Sequence, residues 1–371
     1  MCAWRLAKAG HEVIALEQYR LDHDKGSSFG DSRIVRRVYP DPFYTKLMAR
    51  SYELWDELMT DSHDPNLFVK SGGIFVGDSG NPEIISARKA LLASGVKFED
   101  LNRDDCLSRF PAFPLRENEI ALFEPSMGYA RASLTLKAAT KCARKFGAKI
   151  LVRKPVTQIT KGAAGFVIKS GVDEFSADRV LVTAGPWMNS LLKPLGLTIS
   201  IRVTRQPYLC LEPMPGMEPD FEQDRFPVWI DADTYAYGFP KLGENPGVKI
   251  GMHAFGKEVS PENVERELSD GDRRTILEYA EKRFPGLSKK IVYEKVCLYT
   301  RTKNEDFIID EIPGMSGAFF LSPCSGHGFK FTPLMGEIGA ELAISGDSTH
   351  DLSRFRINNE RVSNYVHFIA D

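Results

Sequence analysis

Cysteine is scarce in this sequence and never closely paired. The six residues, at 2, 106, 142, 210, 297 and 324 of 371, form no C-x-x-C motif, which argues against a zinc site and a disulfide framework. No metal is expected. No apolar run reaches the roughly 18 residues that a membrane span needs, and there is no internal repeat or low-complexity tract. Neither charge dominates: 48 Lys and Arg stand against 50 Asp and Glu, which removes the electrostatic case for a nucleic-acid or membrane-surface partner. A charged-then-apolar leader is missing, and the closing Phe368-Ile-Ala-Asp371 is not a peroxisomal tripeptide. A reducing, cytoplasmic setting is the expectation.

One more absence bears on function. A helix at residues 1–10, ended by Gly10, and a strand at 12–17, closed by Glu17, read as the second half of a dinucleotide-binding βαβ unit. The strand and G-x-G-x-x-G turn that open such a unit are not in the sequence. The expectation is an N-terminally truncated unit, with its first strand upstream of Met1 or its phosphate cradle lost.

What is present has an average globular composition, 43% apolar and 26% charged, at a length that suggests two domains. The segment Leu321-Ser-Pro-Cys-Ser-Gly-His-Gly-Phe-Lys-Phe-Thr-Pro333 follows a short apolar strand at 318–321. It leads into a helix at 334–345, with Thr332 as N-cap and Pro333 at the first helical position. Gly326 and Gly328 let the backbone approach something flat or charged, and His327 and Lys330 share the loop. Such a loop before a helix N-terminus suits an anion or an electron-rich ring. An ordinary turn with solvated His and Lys is the alternative.

Arg33 and Arg36 lie three apart, on one face if Asp31 or Ser32 caps a helical turn. Two guanidiniums facing one way suit a carboxylate or an electron-rich ring. Alternation through 247–253 puts Lys249, Gly251 and His253 on one face of a strand. A Lys facing inward there is costly unless it meets an acid, a bound anion or water; an edge strand with a solvated Lys competes as a reading. Helices at 43–59, 132–146 and 270–283, a buried strand from 179 ending in a small-residue turn at Gly185, and a β-rich stretch over 200–300 complete an α/β pattern.

These blocks resemble the FAD-dependent amine oxidases of the monomeric sarcosine oxidase, N-methyltryptophan oxidase and pipecolate oxidase group. The resemblance runs through Gly26-Ser-Ser-Phe-Gly-Asp-Ser-Arg33-Ile-Val-Arg36, Val182-Thr-Ala-Gly-Pro-Trp187, Tyr237-Gly-Phe-Pro240 and Lys249-Ile-Gly-Met-His253. It continues through Val296-Cys-Leu-Tyr-Thr300, Glu305-Asp-Phe-Ile-Ile-Asp310 and Ser325-Gly-His-Gly-Phe-Lys-Phe331, in that order and over nearly the whole chain.

The resemblance implies an α/β fold in which an FAD-binding domain from residues 1–70, 132–200 and 290–371 is interleaved with a β-rich substrate domain from 71–131 and 201–289. It implies FAD held covalently through a thioether from Cys297, with Glu17 on the adenosine ribose and Gly185, Gly326 and Gly328 among the cofactor contacts. Arg36 and Lys330 match the clamp on the substrate carboxylate, and Tyr237 a wall of the substrate cavity. Lys249 matches a lysine that activates dioxygen by fixed charge, and Arg33 an arginine packed near the flavin. His253 and His327 match active-site histidines that favour the neutral amine.

The implied reaction oxidises a secondary amino acid to an imine and reduces oxygen to hydrogen peroxide, in a monomer that needs no macromolecular partner. Two alternatives stay open at this stage. One is a dehydrogenase that passes electrons to a carrier, and the other a flavin-free relic of the fold. Cys324, beside the Ser-Gly-His-Gly block, has no role in the pattern. Substrate choice is expected to depend on the space near Tyr237, Trp229 and the loop at 241–247.

Overall fold

The structure is a computed structural model that describes residues 1–243, 245–253, 256–357 and 366–368, with backbone alone at 245, 246 and 366–368. The last residues of the expected third FAD-domain segment, and position 244 of the loop at 241–247, lie outside the described residues.

The N-terminal helix Cys2–Lys8 buries Trp4 and Ala7. It ends at Gly10, whose φ of +89° only glycine adopts freely. The strand Ile14–Glu17 then runs parallel to Lys149–Val152, with Ile14 opposite Lys149. A second parallel pair, Val180–Val182 beside Ala318–Ser322, is extended by the antiparallel strand Ile308–Glu311. The two small sheets are not hydrogen-bonded to each other.

The helix Thr332–Ser345 packs on the first helix through glycines. A Cβ on Gly336 would stand 2.8 Å from Met1 Cβ, and one on Gly339 would stand 2.6 Å from Cys2 Sγ. Its cap is Phe331, the last residue of a 3-10 turn at Phe329–Phe331, so the helix starts at Thr332, one residue before the expected first helical position at Pro333. The turn buries Lys330 and seats its carbonyl on Ser51 Oγ and Trp55 Nε1, at 2.7 and 2.9 Å. Helix Pro42–Ser62, capped by the Asp41 carboxylate, closes this core with Met48, Leu54, Trp55 and Leu58. Each large apolar side chain buried in this way contributes roughly 1.5–3 kcal/mol.

The β-rich half is one eight-stranded sheet. Its order is Leu287–Arg301, Arg202–Pro213, Asn245–Met252, Ala236–Leu242, Val228–Asp231, Gly73–Asp78, Glu119–Glu124 and Glu99–Leu101. All neighbours are antiparallel except Val228–Asp231 with Gly73–Asp78. The boundary expected at residue 290 falls inside the strand Leu287–Arg301, which pairs with Arg202–Pro213 from end to end. Cys297 therefore stands on the large sheet, opposite Gln206.

Two further expectations are corrected. Arg33 and Arg36 do not share a helical face: Arg33–Val35 is a strand, paired antiparallel with Gly128–Ala130. The β-branched Ile34 and Val35 suit a pleated surface better than a helical turn. Trp229 is not a cavity residue. It is wholly buried in the core on one face of the large sheet, stacked on Tyr279 at 5.8 Å.

Candidate active site

A cavity of about 2040 Å³ extends between the two halves, lined by both small parallel sheets and by the large sheet. All twelve site residues named from the sequence line it.

At its thiol-bearing wall, the inward face of Leu287–Arg301 presents Cys297, 6% exposed. Arg33 Nη2 lies 3.7 Å from Cys297 Sγ and is held there by donating to the Ser27 carbonyl at 2.8 Å. Ser27 Oγ donates in turn to the Leu298 carbonyl at 2.6 Å, tying the 26–36 loop to the strand that carries the thiol. Lys249 alternates inward as the pattern predicts and is 8% exposed. Its Nζ donates to the Ser32 carbonyl and hydroxyl, at 3.3 and 3.2 Å, and lies 4.2 Å from the centre of the Tyr208 ring. Burial, and then the Arg33 charge, push its pKa down to about 7.

A second group of cations converges on Tyr39. Lys330, 4% exposed, donates to Tyr39 Oη at 3.0 Å and to the His327 carbonyl at 2.8 Å. The Arg36 guanidinium lies 4.1 Å from the centre of the Tyr39 ring and donates to the Val38 carbonyl. Neither cation has a carboxylate within salt-bridge distance among the described residues. Burial, and then Arg36, hold the Lys330 pKa well below its usual value.

His327 has both ring nitrogens engaged. Nε2 faces the Glu305 carbonyl at 2.9 Å, an oxygen that can only accept, so Nε2 carries the proton. Nδ1 must then accept from the Tyr39 hydroxyl at 3.2 Å. Burial, and then Lys330, push its pKa down to about 3, so the ring is neutral across the working range.

His253 lies at the end of the strand that holds Lys249, with its backbone N–H donating to the Tyr235 carbonyl at 2.8 Å. Its Nε2 stands 3.9 Å from the Glu305 carboxylate, which also pairs with Arg301. Burial works to raise the Glu305 pKa, but His253 and Arg301 outweigh it and hold it at about 2. Gly326 has a φ of +77°, and a Cβ there would stand 2.5 Å from Tyr299 and 2.7 Å from His253. A Cβ on Gly328 would overlap the Pro323 carbonyl at 1.6 Å. Tyr237 sits opposite Gly251, where a Cβ would lie 2.7 Å from its hydroxyl. Glu17 Oε1 accepts from the Tyr19 N–H at 2.8 Å and stands 3.5 Å from His23 Nε2. Gly185 opens the 3-10 turn Gly185–Trp187 with a φ of +54°.

Sequence reasoning missed Tyr39, which joins both members of the clamp to His327. Its spacing of three from Arg36 was the available signal. With the glycine-lined approach at 326–328, a thiol beside a guanidinium and a carboxylate at the end of a parallel strand, the residues present fit a flavin dinucleotide.

A parallel α/β half ending in an acid, joined to a sheet that brings buried cations and a thiol to one elongated cavity, is the build of a flavin-dependent oxidoreductase. The chain belongs to the FAD dependent oxidoreductase family, which it matches over residues 1–342. It is 31% identical to a monomeric sarcosine oxidase from a Bacillus species over 360 residues, covering 96% of this chain and 92% of that protein. It is 30% identical to human peroxisomal sarcosine oxidase over 362 residues, covering 96% and 92%. An N-methyl-L-tryptophan oxidase from Salmonella arizonae is 29% identical over 365 residues, covering 95% and 93%. Among solved structures, the open form of NikD, an amino acid oxidase of nikkomycin biosynthesis, superposes with a TM-score of 0.84 at 21% identity, covering 96% of this chain and 93% of that one. An L-proline dehydrogenase from P. horikoshii gives 0.82 at 21% identity, covering 96% and 92%.

Proposed function

We propose that the protein oxidises a secondary amino acid of the sarcosine, N-methyl amino acid or pipecolate type to an imine, with dioxygen as electron acceptor and hydrogen peroxide as product. The observation that carries this reading is the pair of cations at Tyr39. Among the described residues, no protein carboxylate pairs with Arg36 or Lys330, and a substrate carboxylate supplies the missing anion. Holding that carboxylate at two points fixes the substrate's reacting C–H relative to the cofactor. A bound flavin would supply the two-electron acceptor for the C–N oxidation and the route for those electrons to oxygen.

The chain's own residues prepare that chemistry. Lys330 is oriented by Tyr39 and by the His327 carbonyl, so His327 acts as a positioning residue rather than as an acid or base. His253, with one nitrogen toward Glu305, is left to face the substrate amine. Lys249 presents a positive charge where charge develops on oxygen. Glu17 is assigned to the ribose and Tyr237 to the substrate wall.

The covalent link is assigned to Cys297. Three cysteines line the cavity. Cys2 Sγ points at the Met335 carbonyl, 3.5 Å away between two packed helices, and the surroundings of the other two differ. Cys297 has the Arg33 guanidinium 3.7 Å from its sulfur. Cys324 accepts from Ser322 Oγ at 3.4 Å, and burial pushes its thiol pKa up. A monomer acting on small molecules is sufficient for all of this. The test is acid denaturation of the aerobically expressed, flavin-loaded protein. A yellow pellet is expected, with free flavin released from Cys297→Ala; a colourless wild-type pellet overturns the covalent assignment.

A further inference from the structure

Glu124 is a wholly buried carboxylate behind the 36–39 turn, and nothing in the mechanism above uses it. It is 0% exposed, at the end of the strand Glu119–Glu124, and its register partner on the neighbouring strand is Gly73. A carboxylate in such a place is costly unless its oxygens are hydrogen-bonded. Its Oε2 accepts from the backbone N–H groups of Arg37 and Val38, at 2.8 and 2.9 Å. Its Oε1 accepts from the Ser126 hydroxyl and, at 3.4 Å, from the Tyr52 hydroxyl. Burial raises its pKa, and these donors oppose that rise without cancelling it.

What this grip holds is specific. Arg37 and Val38 directly follow Arg36, and the carbonyl that receives the Arg36 guanidinium belongs to Val38. One carboxylate oxygen therefore fixes both N–H groups of the short turn on which the Arg36 side chain rests. Tyr39, the next residue, is the ring over which Arg36 stacks and the hydroxyl to which Lys330 donates. We propose that Glu124 is a positioning residue for the reaction, setting the 36–39 turn so that Arg36 meets the substrate carboxylate together with Lys330. The inference rests on the reading of Arg36 as a carboxylate contact, and the test separates the two.

The test is a double-mutant cycle with Glu124→Gln and Arg36→Met, read as kcat and KM for sarcosine in flavin-loaded protein, with melting temperature measured alongside. Losing one charge-assisted hydrogen-bond set should raise KM about tenfold in Glu124→Gln with kcat changed less. In the Arg36→Met background the same substitution should add little, because its effect passes through that side chain. N-methylethylamine, which lacks the carboxylate, should be turned over equally by wild type and Glu124→Gln. Additive losses, or an unchanged KM in folded Glu124→Gln, overturn the inference. An Arg36→Met variant with unchanged KM overturns the site reading itself. If Glu124→Gln does not fold, Glu124→Asp enters the same cycle: it keeps the charge but withdraws the oxygens by one methylene, and the same non-additivity is expected.

Discussion

Two sets of buried cations in this molecule behave oppositely. In the core of the large sheet, Arg283 is 1% exposed and pairs with the buried Glu119 at 2.6 Å, with its guanidinium 4.7 Å from the centre of the Phe113 ring. In the cavity, Lys330 and Lys249 are nearly as buried, at 4% and 8%, yet among the described residues they bond to neutral oxygens alone. The first pair carries its own counter-ion and belongs to the architecture. The second set is held ready at a cost to stability, which marks a place where ligand charge arrives. A buried cation is thus a structural feature or a functional one according to whether the fold also supplies its anion.

The contrast breaks most visibly at Arg283. Arg283→Met leaves the buried Glu119 with only the half-exposed Arg116, through its guanidinium at 3.4 Å and its backbone N–H, and should cost up to about 3–5 kcal/mol of unfolding free energy in urea titration. Adding Glu119→Leu should restore most of it. Lys330→Met should do the reverse: thermal stability unchanged or raised, and kcat/KM for an N-methyl amino acid lowered roughly 100- to 1,000-fold. A loss of stability comparable to Arg283→Met would show that Lys330 is architectural too.

Lys249 gives the comparison a pH axis. Its pKa is lowered from 10.5 to about 7 in the folded protein. Between those values the unfolded chain binds the extra proton, so its contribution makes the fold more stable as pH rises from about 7 to 10. Below pH 7 both states hold the proton and the cost is full. The charge offered to oxygen is lost in the opposite direction, as pH rises through about 7. The oxygen-dependent kcat/KM should therefore fall above that pH in wild type, and lie low and flat in Lys249→Met, as followed in an oxygen electrode. The smallest effect is expected from Tyr39→Phe, which removes only the hydroxyl between Lys330 and His327. A drop of about tenfold or less in kcat/KM is predicted from one hydrogen bond, with Lys330 still in place.

Much of this was legible in the sequence because local signals agreed with the global fold. The helix Asp270–Arg283 falls where the sequence places it, and Lys249 alternates inward on a central strand, one of the two readings its pattern left open. The Arg33 and Arg36 pair was misplaced onto a helix because its strand is set by pairing with Gly128–Ala130, almost a hundred positions away and invisible to local pattern. Trp229 was expected near substrate, but its strand turns it into the opposite core. Tyr39 and Glu124 were missed for a related reason. A Tyr three residues past an Arg, and a Glu at a strand end, acquire meaning only when folding brings residues 36–39 against 124 and 330.

The central claim is that this cavity passes electrons from a secondary amino acid to oxygen. It is tested most directly by measuring peroxide formed per substrate consumed, under air, with the flavin-loaded protein and a panel of sarcosine, N-methyltryptophan, pipecolate and proline. The prediction is one peroxide per molecule of at least one panel member, suppressed in Lys249→Met. Substrate consumption that requires an added electron carrier and yields no peroxide, or a flavin-loaded protein inert toward the whole panel, would contradict it.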